Sequence, residues 1–428
     1  MGLVTAAAAA PVMTRAQRRL RTRQRILGIV YLLLAVAMVL GFGVSVAGDA
    51  SSSFGLTAPT APIALPNLVI PSATTAYLLA AVVAFAGAVQ LTRGFGTRGA
   101  VVLGLVAFAF VFAFLTWVAA GQSMNLTGLL ETTVQRSVPI AFGALSGVLC
   151  ERAGVINIAI EGMLLSGAFV AAVVTSAFDN PWLGMLSAVV MGGLLGGLLA
   201  VLAIRYRVDQ IIAGFFINIL ATGLTAFLSV RLLQPYQDEL NTPERLGPIA
   251  IPFLSDIPIL GPILFNHNIF VYLLFALIAA VHFGLFYTRW GLRVRAVGEH
   301  PKAADTVGVN VYRVRYSNVI LGGMVAGLGG AFFTIGSTGG FEREMTAGRG
   351  FIGLAAMIFG GWNPIGGFLA ALVFGFADAI QSRLSILSIA IPSEFLLMVP
   401  YIVTIIVVAG LVGRARAPAA DGKPYVKE

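Results

Sequence analysis

Long apolar runs separated by short polar segments set the pattern of this chain, and a run of about 20 apolar residues is what a hydrocarbon core requires. Runs of that kind occupy 26–47, 75–91, 100–118, 155–178, 183–204, 211–233, 268–287, 316–335 and 395–412. Three shorter ones, at 137–150, 351–360 and 365–380, fall below a full span, and at least one of the last two is expected to be re-entrant. The pattern predicts an all-α, polytopic integral membrane protein with about 10–12 transmembrane or re-entrant helices.

The polar segments sort into two kinds. Residues 50–71 are rich in Ser, Thr and Pro and nearly uncharged, and 234–267 carry six prolines; both read as loops on the outer face. The segment 288–315 is different, since it stands between two spans and holds Arg289, Arg293, Arg295, Lys302, Arg313 and Arg315. Short basic loops stay on the cytoplasmic side. Within it, Pro301 suits a helix start and Gly308 a helix stop, which predicts a short helix over 301–307. Ala303 and Ala304 leave its surface shallow enough to enter another protein's groove; an ordinary connecting loop with one helical turn is the alternative.

Composition sharpens this picture. Charged residues make up 11% and apolar ones 58%, with mean hydropathy +0.93, far from the roughly 25% charged of soluble domains. The net charge of +9 is a topology signal rather than a nucleic-acid footprint, because twenty of the 27 basic residues lie in the segments assigned to the inside. Six arginines at 15–25 would also suit a mitochondrial transit peptide, but they abut the run 26–47, so the reading is a first span with its N-terminus inside. The C-terminus is placed inside as well.

Cys150 is the only cysteine and His267, His282 and His300 are scattered, so neither an internal disulfide nor a metal constellation is expected. No cofactor is implied. The sequence lacks a Gly-x-x-x-x-Gly-Lys-Ser/Thr loop, which places any ATP-driven motor on another chain.

Transporters with internal repeats carry Gly- or Pro-broken helices at corresponding places near the substrate path. The segments 154–169 and 348–368 form such a pair. Asn157 and Glu161 are expected on one helix face, and a carboxylate in lipid costs on the order of 3 kcal/mol. Glu161 therefore faces protein or a cavity, either as a substrate contact or as a buried carboxylate held by Arg152 or backbone N–H groups. Asn218, Trp362 and Asn363 join these as candidate substrate-path residues, since amides can serve a ribose hydroxyl and an indole a flat base; each could instead bridge helices. Asp378 and His282 read as structural or interfacial, and Arg349 as exposed.

The stretches ERAGVINIAIEGMLLSGAF, RVDQIIAGFFINILA, GLRVRAVGEHPKAADTVGV, GFIGLAAMIFGGWNPIGG and PYIVTIIVVAGLVGRARAPAADGKPY resemble, in order, the permease subunits of bacterial ABC importers of the branched-chain amino acid and ribose type, and most of all nucleoside (guanosine-type) permeases. The resemblance runs from about Leu129 to the C-terminus. It implies nucleosides as substrate, with simple sugars as the alternative, and as partners a cytoplasmic ABC ATPase, a second permease subunit (related or identical) and an extracytoplasmic substrate-binding lipoprotein. It also implies that Gly298, Glu299, His300, Pro301, Lys302, Ala303 and Ala304 dock the ATPase. Domains follow as a basic tail 1–25, an N-terminal extension 26–128 with about three spans, a permease domain 129–413 and a tail 414–428. An ion-coupled secondary transporter would need ionisable groups along the path, and Glu161 and Asp378 are thin provision for it. A membrane enzyme or scaffold is the remaining class, and no catalytic pairing supports the enzyme.

Overall fold

The computed structural model describes residues 15–57, 64–386 and 416–427. Among the described residues, nine helices are long and apolar enough to cross a membrane. The chain divides into two compact units, one of residues 1–58 and 64–126, the other of 59–63 and 127–428.

In the first unit, α1 (Arg15–Ala37) continues through a π-helical turn, Met38–Gly43, and is followed by α2 (Ser72–Thr92) and α3 (Gly99–Val118). Tyr31, Met38, Val83 and Val106 make their common core. The segment read from sequence as a plain outer loop is in part a small sheet: β1 (Ser51–Gly55) lies between antiparallel β2 (Leu68–Pro71) and parallel β3 (Ser123–Asn125). Ser52 ties this sheet to the helix ends, with its Oγ 2.6 Å from Ser72 Oγ and donating to the Thr116 carbonyl at 2.6 Å.

The second unit begins with α4 (Leu126–Glu151), 26 residues against the 14 of the apolar run that announced it. Its first half carries Glu131, Gln135 and Arg136, which hid the span from a reading by hydropathy. Then come α5 (Ile160–Phe178), α6 (Pro181–Ala200) and α7 (Gln210–Leu228). Two short helices, α8 (Gln237–Leu240) and α9 (Leu260–Leu264), and the pair β4 (Ile249–Ala250) and β5 (Asn266–His267) fill the long proline-rich connection. They are followed by α10 (Ile269–Tyr287), α11 (Arg289–Glu299), α12 (Pro301–Thr306), α13 (Val311–Phe333), α14 (Arg349–Phe359) and α15 (Pro364–Ile386). The expected span 395–412 lies outside the described residues.

Helices α5, α6 and α13 form the packed centre. Lipid supplies no hydrophobic drive between helices, so close backbone approach through small residues must hold them. A Cβ on Gly192 would run into the Gly323 carbonyl, and one on Gly327 into that of Ala188. The outer faces of α6 and α7 present Leu186, Leu194, Phe215 and Phe227, apolar surface suited to lipid.

The segment 288–315 is more ordered than a loop. α11 and α12 fill it, and α13 starts at Val311, so Arg313 and Arg315 belong to a helix and Arg315 is fully buried. Pro301 opens α12 and Gly308 follows it with φ +84°, as expected from their backbone preferences. The two ends of the unit are set by α10, whose 19 residues span about 28 Å. One end carries α11 and α12; the other carries Asn268 and the loop after α13.

Candidate functional site

Both broken segments are breaks in fact. The first runs through residues 152–159 between α4 and α5, so Asn157 precedes the helix and does not share a helical face with Glu161. The second is 360–363, between α14 and α15, where Gly361 and Trp362 have φ +64° and +55°. Backbone freed from a helix inside a membrane protein must find partners, and side chains supply them. Gln210 Oε1 accepts from Ile156 N at 2.7 Å. Asn218 accepts from Gly162 N through Oδ1 and donates through Nδ2 to the Ile158 carbonyl, both at 2.8 Å. Asn157 is completely buried, with Nδ2 3.3 Å from Ser146 Oγ.

The two breaks grip each other. Arg152 donates through Nε to the Trp362 carbonyl at 2.8 Å and through Nη2 to that of Gly361 at 3.2 Å. The Trp362 indole N–H donates to Glu151 Oε2 at 2.6 Å, and the ring is 6% exposed, so it offers no open face for a base. Asn363 Oδ1 accepts from Ile365 N at 2.9 Å and caps α15. Glu161 takes the role of a carboxylate held by backbone N–H groups: its oxygens accept from Gly348 N at 2.8 Å, Gly350 N at 2.6 Å and Thr346 Oγ1 at 2.6 Å. It thus caps the N-terminus of α14, where N–H groups without an intrahelical acceptor and the helix dipole favour an anion.

Among the described residues, none of Asn157, Glu161, Asn218, Trp362 and Asn363 lines a large cavity found in the second unit. That cavity, of about 1170 Å³, opens at the Asn268 end. α4 contributes Glu131, Gln135 and Arg136, α13 contributes Phe332 and Phe333, and α14 contributes Arg349. Arg349, expected to be exposed, is instead held in place. Its Nη2 lies 3.0 Å from Asp378 Oδ2 and its guanidinium 5.9 Å from the Phe333 ring centroid. Arg136 approaches the same Asp378 oxygen at 3.6 Å. A π-helical turn, Thr334–Thr338, borders the cavity, and Asn268 Nδ2 donates to the Gly336 carbonyl there at 2.8 Å. Such turns leave carbonyls out of the regular ladder and are frequent at functional sites. The signal available in the sequence was the polar set Glu131, Gln135 and Arg136, directly ahead of the apolar run 137–150.

At the opposite end, Glu299, His300, Lys302 and Ala303 are exposed, as are Leu292 and Val307. Gly298 and Ala304 are buried: Ala304 faces Val297 and Val311 of the same chain rather than outward. A Cβ on Gly298 would strike the Arg152 carbonyl, so α11 sits directly on the first break. Arg152 and Arg295 lie 5.6 and 5.3 Å from the Phe286 ring centroid, giving two cations one aromatic support.

Residues 128–408 match the family model described as branched-chain amino acid transport system / permease component. A guanosine ABC transporter permease protein of Bacillus subtilis is 41% identical over 71% of this chain and 97% of its own length. A nucleoside ABC transporter permease protein of Lactococcus lactis is 41% identical over 71% of this chain and 99% of its own. A putative glucose ABC transporter permease protein of Haloferax volcanii is 36% identical over 62% and 80%. No solved structure gives a significant match.

Proposed function

The chain belongs to the branched-chain amino acid transport system permease family, and we propose that it forms half of the membrane path of an ABC importer for nucleosides. It is a transport subunit, and ATP hydrolysis falls to partner chains. Nucleosides are preferred to simple sugars because the relatives named for guanosine and nucleosides are more alike to it, over more of both chains, than the one named for glucose.

The observation that carries the reading is the division of labour between the two ends of the second unit. A polar and aromatic cavity occupies one, and exposed α11–α12 the other, with α10 and α13 running between them. In this reading the cavity opens to the outside and receives substrate from a binding lipoprotein. Phe332 and Phe333 supply apolar surface for a base, while Glu131, Gln135 and Arg136 supply donors and acceptors for a ribose. The exposed residues Glu299, His300, Lys302, Ala303 and Val307 dock an ABC ATPase, and Gly298, Pro301 and Ala304 shape the turn beneath them. Glu161, Asn157, Asn218, Trp362 and Asn363 hold the broken segments that border the path. A second permease subunit completes it, and lipid covers α6 and α7.

Uptake of radiolabelled guanosine, adenosine and ribose by cells expressing the transporter, with and without this chain, tests the reading. Loss of nucleoside uptake alone is expected. Loss of ribose uptake with nucleoside uptake intact would overturn the substrate assignment, and failure of an ABC ATPase to co-purify in stoichiometric amount would overturn the mechanism.

A further inference from the structure

Residues 416–427 run across α11, α12 and the start of α13 rather than projecting away from them. Ala420 N donates to the Gly298 carbonyl at 2.9 Å, and Arg315 Nη1 donates to the Lys423 carbonyl at 2.9 Å. Lys427 Nζ lies 3.6 Å from Asp305 Oδ1. Tyr425 is buried with Val297, Ala304 and Val311, its ring 5.3 Å from that of Tyr312. Asp421, by contrast, turns inward. The backbone on either side of it packs on the first break, a Cβ on Gly154 falling 3.2 Å from the Ala420 carbonyl oxygen and one on Gly422 2.8 Å from Ile156 Cδ1; its carboxyl lies beside that of Glu151 and in the field of Arg315, and Glu151 is the residue that holds the Trp362 indole.

Two carboxyl groups face one another in a buried place only by sharing a proton between them. Covering Val297 and Ala304 needs no such arrangement; Tyr425 alone does that, and an apolar side chain at 421 would be cheaper to bury. The contact of Gly298 with the Arg152 carbonyl is one of backbone packing, which resists compression and nothing else. Hydrogen bonds and a buried ring resist being drawn apart. The tail therefore adds a pulling connection where α11 has only a pushing one.

We propose that residues 416–427 are a strut that carries displacement of α11 and α12 to the break at 360–363 through Asp421, Glu151 and Trp362, with Asp421 a positioning residue for transport. The inference rests on the ABC permease reading. Beyond the break, α14 extends 11 residues, about 16 Å, and ends at Arg349 in the cavity wall. Both of its ends are fixed to other helices, by Glu161 at one and by Arg152 and Glu151 at the other. A shift of the break moves α14 as a rod.

Amide exchange measured on the purified chain tests the connection without any partner or substrate. The Gly361, Trp362 and Asn363 amides donate to the Ile358, Met357 and Gly360 carbonyls, so they are expected to exchange slowly in the unaltered chain. Asp421→Ala is expected to speed their exchange about tenfold or more, and Asp421→Asn, which keeps a hydrogen bond to Glu151, to leave it near the unaltered rate. In the reconstituted transporter, Asp421→Ala is expected to lower nucleoside moved per ATP hydrolysed about tenfold, with recovery in Asp421→Asn. Unchanged exchange at 361–363, or transport and ATP hydrolysis falling in parallel, overturns the proposal. Should Asp421→Ala fail to accumulate, the chain ended after Ala419 undergoes the same two comparisons. Altered exchange with no nucleoside transport by the unaltered protein would count against the substrate reading and leave the strut standing.

Discussion

Glu161 and Gly350 are locked together: the Glu161 Oε2 accepts from the Gly350 amide at 2.6 Å, and a Cβ on Gly350 would lie 2.6 Å from the Glu161 Cα. A carboxylate in the first turn of α5 therefore starts α14, a helix that begins nearly 190 residues later, and only a residue without a side chain fits between them.

Replacement of Glu161 by Ala takes the acceptor from three part-buried donors, Gly348 N, Gly350 N and Thr346 Oγ1, at about 1–3 kcal/mol each where water does not replace it. The expected result is a clear drop in the thermal midpoint of the purified protein and loss of transport. Glu161→Gln keeps an acceptor and is expected to cost about half as much. Gly350→Ala should match Glu161→Ala; a Gly350→Ala protein as stable as the original would show that the two segments are not so tightly joined.

The glycines between α6 and α13 make a second stability test. Gly327→Leu pushes a branched side chain into the Ala188 carbonyl, which can move only by separating the helices. Failure to accumulate in the membrane is expected. Gly104→Leu, at a position with open space around it, should accumulate normally, and equal loss of both proteins would argue against close packing as the cause.

Arg136 and Arg349 of the cavity wall share Asp378 behind it, so the three charges are interdependent. Among the described residues, Arg349→Ala leaves Asp378 with the longer ion pair to Arg136 and removes the cation resting on Phe333. Transport by Arg349→Ala is expected to fall tenfold or more, and the double change Arg349→Ala with Asp378→Ala to recover part of the loss, since no unpaired charge is then left. Phe333→Ala should raise the nucleoside concentration needed for half-maximal transport. Transport unchanged in Arg349→Ala and Phe333→Ala would move the path elsewhere.

Orientation can be read with thiols. Lys302→Cys is expected to resist an impermeant maleimide added to intact cells, and Ser337→Cys, exposed beside the cavity, to react. Native Cys150 is fully buried and serves as an unreactive background. The reverse pattern would invert the topology.

What could be read in advance from the residues follows how local each feature is. Spans were legible because length and hydropathy are properties of a stretch, and α12 because Pro301 and Gly308 act on their own backbone. The pairing of the two breaks could be suspected from their shared glycine pattern, but its agents could not. Glu151 was merely part of the polar link between two runs and Arg152 was considered only as a partner for Glu161, whereas both hold Trp362, 211 positions from Glu151. The same limit hid the cavity: Glu131, Gln135 and Arg136 lowered the hydropathy of α4 and shortened the apparent span, because residues facing water inside a protein read like residues outside the membrane. Asn157 and Asn218 were read as candidate substrate-path residues or helix bridges; in the structure they meet Ser146 and the backbone of the break. The tail 416–427 had no periodicity at all, since its fold is set by the surface it covers.

The last prediction concerns pH. Burial pushes the Asp421 carboxyl up to about 6, against the opposing pull of the hydrogen bond with Glu151, the Gly422 N–H and the charge of Arg315; a free aspartate lies at about 3.9. Because the docked value is the higher one, the docked tail binds its proton more tightly than a released tail does. The contribution to docking is therefore complete below about pH 4, is lost as pH rises through about 6, and changes no further above that. At pH 5 the docked form should be favoured about tenfold more than at pH 7.5. A spin label on Val426→Cys, an exposed position beside Tyr425, reports this directly: its mobile fraction should grow between pH 5 and pH 7.5 and then level off. Asp421→Asn removes the titrating group while keeping a polar contact to Glu151, so its label should show one mobile fraction throughout. A pH response that persists in Asp421→Asn would assign the effect to another group, and a mobile fraction that falls with rising pH would reverse the sign of the linkage.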